Sequence, residues 1–86
     1  MCTYRTERIQ VSGSGKGPAG WFAVTDATVY FDHPVHAGFE HSLNLDFINP
    51  GDGPTARVAV ELSADSARAL AAAILATLES VPEGLA

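Results

Sequence analysis

From His41 to Phe47 the chain reads His-Ser-Leu-Asn-Leu-Asp-Phe, so that His41, Leu43, Leu45 and Phe47 alternate with Ser42, Asn44 and Asp46. A period of two is the mark of an extended strand with one buried face, because successive side chains point to opposite sides of a sheet. The run, taken as a strand from Phe39 to Asn49, ends in NPGDGP, whose prolines and glycines force a turn. After the turn, Ala56–Leu62 repeats the pattern, with Ala56, Val58, Val60 and Leu62 inward and Arg57 and Glu61 outward. Two alternating runs joined so tightly pair antiparallel.

The rest of the chain fits around this hairpin. Tyr4–Ser12 and Trp21–Asp32 are rich in β-branched and aromatic residues and read as two earlier strands. SGSGKGPAG between them reads as a mobile, glycine-rich loop. Ser63 is a good N-cap for an alanine-rich helix from Ala64 to about Ser80, with Leu70, Ile74, Leu75 and Leu78 at helical spacing and Pro82 and Gly84 beyond its end. The order is β-β-β-β-α, and short connections make the sheet a four-stranded antiparallel meander with the helix returning over one face. The expected fold class is α+β, in a single domain spanning 1–86.

Small size and composition bear on partners. Eighty-six residues bury one modest core. Apolar residues make up 47% of the chain and charged ones 17%, a balance that favours folding over disorder. The strand from Trp21 to Asp32 is apolar on both sides, with Trp21, Ala23, Val29 and Phe31 on one and Phe22, Val24 and Tyr30 on the other. That predicts a cover for the face opposite the helix, and in so short a chain the expected cover is a second copy, giving a homodimer. Ten acids against five scattered bases (Arg5, Arg8, Lys16, Arg57, Arg68) weigh against nucleic acid, which is bound largely through clustered Lys and Arg. One cysteine, no basic-then-apolar leader and no apolar run of membrane-spanning length point to a cytoplasmic protein with no membrane association.

All three histidines fall within DHPVHAGFEH, from Asp32 to His41. A symmetric hairpin between the second and third strands sets Phe31 opposite Leu43 and Val29 opposite Leu45, the pairs the buried pattern requires, and the same register sets His33 opposite His41. His36 is expected to fold back over that pair, with Asp32 or Glu40 supplying a further oxygen or orienting a ring. Three imidazoles at the rim of an apolar face suit a divalent transition ion, zinc most simply, with copper, nickel or ferrous iron as alternatives. Three ligands would leave a position open for a water or a substrate oxygen. The bland reading competes directly: histidine is at home in polar turns, and a cross-strand pair of imidazoles is stable without metal when neutral or hydrogen-bonded.

Other motifs carry less. GKGPAG fits G-x-G-x-x-G, yet a strand rather than a helix follows it, so it is not a dinucleotide fingerprint, and Lys16 is followed by Gly17, so GSGKG is not a P-loop. Cys2 is the one thiol and a candidate assisting ligand, although a symmetric first hairpin would put it opposite Tyr30, on the face away from the histidine pair. Aromatic residues near the open end of the sheet leave room for a small-molecule ligand.

The runs MCTYRTERIQVSGSGKGPAGWF, VYFDHPVHA, EHSLNLDFINP and ARVAVELSADSARALAAAI resemble, over nearly the whole chain, a family of small actinobacterial proteins known as a domain of unknown function. The resemblance implies a bacterial protein and carries over no activity, cofactor or binding residue. The order β-β-β-β-α also resembles the dimeric single-stranded-nucleic-acid-binding folds of the Whirly, PUR and transcriptional-coactivator type, a likeness of fold alone. The sequence therefore leaves two main readings. One is a metal-binding protein with a three-histidine site, extending to a metal-dependent enzyme of specialised metabolism. The other is a non-catalytic dimeric interaction or small-ligand module with structural histidines. A nucleic-acid-binding dimer is third, lacking the basic groove such surfaces use.

Overall fold

The computed structural model describes residues 5–85, and its elements follow the expected order: β1 (Thr6–Gly17), β2 (Gly20–Asp32), β3 (Ser42–Ile48), β4 (Arg57–Leu62) and α1 (Ala64–Glu79). The four strands form one antiparallel sheet in the order β1-β2-β3-β4. Ser63 caps α1 as its sequence predicts, its hydroxyl accepting the Ser66 backbone N–H at 3.1 Å. A single 3-10 turn, Pro50–Asp52, carries the chain from β3 to β4, with Asn49 accepting from Gly51 N–H.

The first hairpin departs from expectation. β1 runs five residues beyond Ser12, and Gly17 pairs with Gly20 across a connection of only Pro18 and Ala19, so the glycine-rich segment is strand rather than mobile loop. Two of its glycines, Gly15 and Gly17, sit where the sheet curls closely on itself. In a flat four-stranded sheet the outer strands lie about 14 Å apart. Here a methyl group on Gly17 would lie 2.8 Å from the Thr55 carbonyl oxygen and 3.2 Å from that of Arg57, and one on Gly15 would lie 3.1 Å from the Val24 side chain. The end of β1 thus closes onto the start of β4, and only a residue without a side chain allows that approach.

The curl encloses the core. Phe22, Val24 and Ala56 are buried together, with Val11, Phe47 and Val58 packed against them. Along β2 the buried positions step from Phe22 and Val24 to Ala27, a change of parity beside the register shift between Gln10 and Gly13. The extra residue at that shift lies in β1, which bends there. Phe22 and Val24 find their cover within the chain itself, against Ala56, Phe47 and Val58, while Trp21 is 72% exposed.

The tight connection through Pro18 and Ala19 also moves the register of the first hairpin away from the one that would set Cys2 opposite Tyr30. Thr6, not Cys2, lies opposite Tyr30, and Cys2 falls outside the described residues.

Candidate functional site

The second hairpin has the predicted register: Phe31 faces Leu43, Val29 faces Leu45, and the ladder ends at Asp32 with Ser42. One step further, His33 and His41 meet as stacked rings, with centroids 4.6 Å apart and 28° between planes. Phe31 stacks on His41 at 5.7 Å and 12°, continuing the apolar row of β2. The His33 Nδ1–H donates to the Glu40 carbonyl oxygen at 2.8 Å, because a carbonyl can only accept, and this leaves the lone pair on Nε2. Asp32 Oδ1 accepts the His33 backbone N–H at 2.7 Å, turning the chain out of the strand.

His36 does not join the pair. Its backbone N–H donates to Glu61 Oε1 at 3.0 Å, as does that of Ala37, and Val35 N–H donates to Glu61 Oε2. Glu61 sits opposite Asn44, which sits opposite Tyr30, so these three share the face away from Phe31, Leu43 and Leu62. His36 lines a groove of about 620 Å³ on that face with Tyr30, Asn44, Asp46, Arg57 and Glu61. The expected convergence of His33, His36 and His41 is thus corrected: the pleat sends the stacked pair and His36 to opposite faces. Among the described residues no three His, Cys, Asp or Glu side chains stand close enough together to hold a metal ion.

Glu61 was legible only as an outward strand residue, yet it fastens the loop. Three backbone N–H groups converge on its carboxylate, and they hold its pKa below the ordinary carboxylate value, Val35 most strongly, then Ala37 and His36. The clamped loop crosses the polar face, which explains an inversion of the expected burial. Ser42 and Asn44, the polar partners in the alternation, are fully buried and 5% exposed, and the Ser42 hydroxyl donates to Asn44 Oδ1 at 2.7 Å. Leu43 and Leu45, the apolar partners, are only half-buried. Beside the loop, Arg57 reaches Asp46 Oδ1 through Nε at 3.0 Å and Nη2 at 2.8 Å. Burial, then the Asp46 charge, pushes the Tyr30 phenol above its usual value.

Leu43 and Leu45 are half-buried because α1 covers them thinly. The helix touches the sheet chiefly over β3, and none of its 16 residues is buried. Between helix and sheet lies a trough of about 450 Å³, walled by Val29, Leu43, Leu45 and Leu62 on one side and Leu70 and Ile74 on the other. Leu70, Ile74, Leu75 and Leu78 are 43 to 66% exposed. Sequence periodicity marked these positions as the helix's apolar stripe; it could not show that the stripe would be left uncovered.

The four described arginines each lie beside a carboxylate, Arg5 with Glu7, Arg8 with Asp26, Arg57 with Asp46 and Arg68 with Asp65. No helix among the described residues is long and apolar enough to cross a membrane.

Fold and surface together define a small α+β protein with a curled meander, a clamped histidine loop on one face and an open apolar trough on the other. The chain belongs to DUF6295, a family of unknown function whose model matches residues 1–86. Neither a curated protein nor a solved structure matches it.

Proposed function

We propose that this chain is a non-catalytic interaction module whose working surface is the apolar trough between α1 and the sheet, and in which the histidines are structural. One observation carries the reading: a 16-residue helix lies over a sheet with its apolar stripe in water and no residue buried. A monomer gains little from ordering such a helix, because most helical stability comes from packing an apolar face. Contiguous apolar surface of this kind marks a site of association. The histidine loop, by contrast, is satisfied internally: His33 is stacked and hydrogen-bonded to Glu40, and the backbone around His36 is fastened to Glu61.

The test uses the apolar dye anilinonaphthalene sulfonate at low protein concentration, with the fold checked by circular dichroism. Dye binding is expected to fall sharply in Leu70→Glu/Ile74→Glu and to persist in a variant lacking all three histidines. Equal dye binding in the wild type and both variants would overturn the reading.

A second reading has one observation in its favour. The Nδ1–H of His33 donates to a backbone carbonyl, an orientation common among metal-ligating histidines, and leaves Nε2 available next to His41. A divalent ion such as zinc would then be held by His33 and His41, without His36, after the rings turn from stacked to convergent. Elemental analysis of protein purified without a histidine tag tests it: stoichiometric metal lost in His33→Ala/His41→Ala supports it, and no metal in the wild type counts against it.

A further inference from the structure

The occupant of the trough can be argued from areas and shape. We infer that it is a second copy of this chain, docked through α1 on the helix-bearing side of the sheet; this rests on the reading of the trough as an interaction surface and names its partner.

A compact monomer of 9.0 kDa exposes about 4,850 Å². This chain exposes 6287 Å², an excess of about 1,400 Å². The excess has a shape: the radius of gyration is 14.4 Å where a compact domain of this length has about 12 Å, and the molecule is a slab of 44 × 31 × 20 Å. Covering half of that excess on each of two copies would bury roughly 1,400 Å² in all, within the range of stable protein interfaces and well above a crystal-type contact. A small ligand filling a trough of about 450 Å³ would leave most of that excess, including Leu75 and Leu78, in water.

The surface is also self-complementary. Small residues, Ala67 and Ala71, line the helix side of the trough, while Leu75 and Leu78 stand out beyond it as a ridge. A two-fold axis near α1 sets the ridge of one copy into the trough of the other, and the reverse contact follows by symmetry. Arg68 is the one charged side chain that lines the trough, and its charge is offset within the same copy by Asp65 at 3.2 Å. The polar face, carrying Asp26, Asp46 and Glu61, stays outward.

Sedimentation velocity over a range of concentrations tests this, with dye binding measured on the same samples. Leu75 and Leu78 are exposed in the single copy, so Leu75→Glu/Leu78→Glu leaves its fold intact. The wild type is expected at twice the chain mass, with dye bound per protomer falling as concentration rises. Leu75→Glu/Leu78→Glu is expected at the single-chain mass, and Ala59→Arg on the polar face is expected to remain a dimer. A wild type of single-chain mass at every concentration, or a dimer that persists in Leu75→Glu/Leu78→Glu, overturns the inference. If the single-chain wild type still binds dye at the trough, the interaction-module reading survives for another partner; if it does not, both fall.

Discussion

The imidazole of His41 lies between the ring of Phe31 and that of His33, stacked on both, so the apolar row of β2 and β3 ends in a histidine pair rather than in solvent. In this account the pair closes the hairpin, and its contribution is that of a ring stack. Replacing His33 or His41 with Ala is expected to cost on the order of 1 kcal/mol, or about 4–8 °C in Tm for a domain of this size. His36→Ala, away from the stack, is expected to stay within about 0.5 kcal/mol. Thermal unfolding of the three variants decides it, and an equal loss at all three positions would show that the histidines act as one site.

The loop from Val35 to Ala37 hangs on the Glu61 carboxylate, whose pKa is lowered by the three N–H groups it accepts. A group with a depressed folded pKa stabilises above its unfolded value and stops doing so as pH falls through the folded one. Amide exchange at Val35, His36 and Ala37, corrected for the intrinsic rate, should therefore stay slow through the ordinary carboxylate range and quicken only at lower pH. Glu61→Gln should show the faster exchange at neutral pH. Fast exchange of these amides in the wild type at neutral pH would remove the clamp from the account.

Gly17 and Gly13 lie in the same strand and are predicted to respond in opposite ways. The groups nearest an added methyl at Gly17 are the Thr55 and Arg57 carbonyls, backbone atoms that cannot rotate aside, so Gly17→Ala is expected to destabilise by about 1–3 kcal/mol. Nothing lies within 4 Å of the corresponding position at Gly13. Gly13→Ala is expected to be neutral or to stabilise by up to about 0.5–1 kcal/mol, since glycine weakens a strand. Denaturant unfolding separates the two, and equal effects would argue against closure of β1 onto β4.

Tyr30 is held neutral by its burial and by Asp46, while Arg57 opposes the shift. Its folded pKa is raised, so this contribution to stability is complete below the usual phenol value and disappears as pH rises through the folded value. Ultraviolet titration of the wild type against Tyr30→Phe isolates this phenol from Tyr4. Ionisation is expected on the alkaline side of an ordinary tyrosine and is expected to move back in Asp46→Asn.

The elements most legible in the sequence were those whose patterns are local. The alternation through Leu43, Leu45 and Phe47 set strand and register together, and the register placed His33 opposite His41 correctly because a one-residue slip would have turned Phe31 and Val29 outward. What depends on contacts between distant elements was not legible. Gly17 reads as loop in the sequence because its reason, the carbonyls of Thr55 and Arg57, lies some forty residues away. His36 was expected above the pair because sequence spacing does not reveal that Glu61 would draw its backbone to the other face. Carrying the β3–β4 register to Asn44 and Glu61 would have put that carboxylate under the loop.

Hydroxyl-radical footprinting reads the cover over individual side chains of α1 in solution. If the chain pairs with a second copy as proposed, Leu70, Ile74, Leu75 and Leu78 are predicted to be protected at high concentration and to become reactive on dilution, while Val35 and Phe39, exposed in the loop, react at both. Helix side chains as reactive as Val35 at every concentration would contradict it.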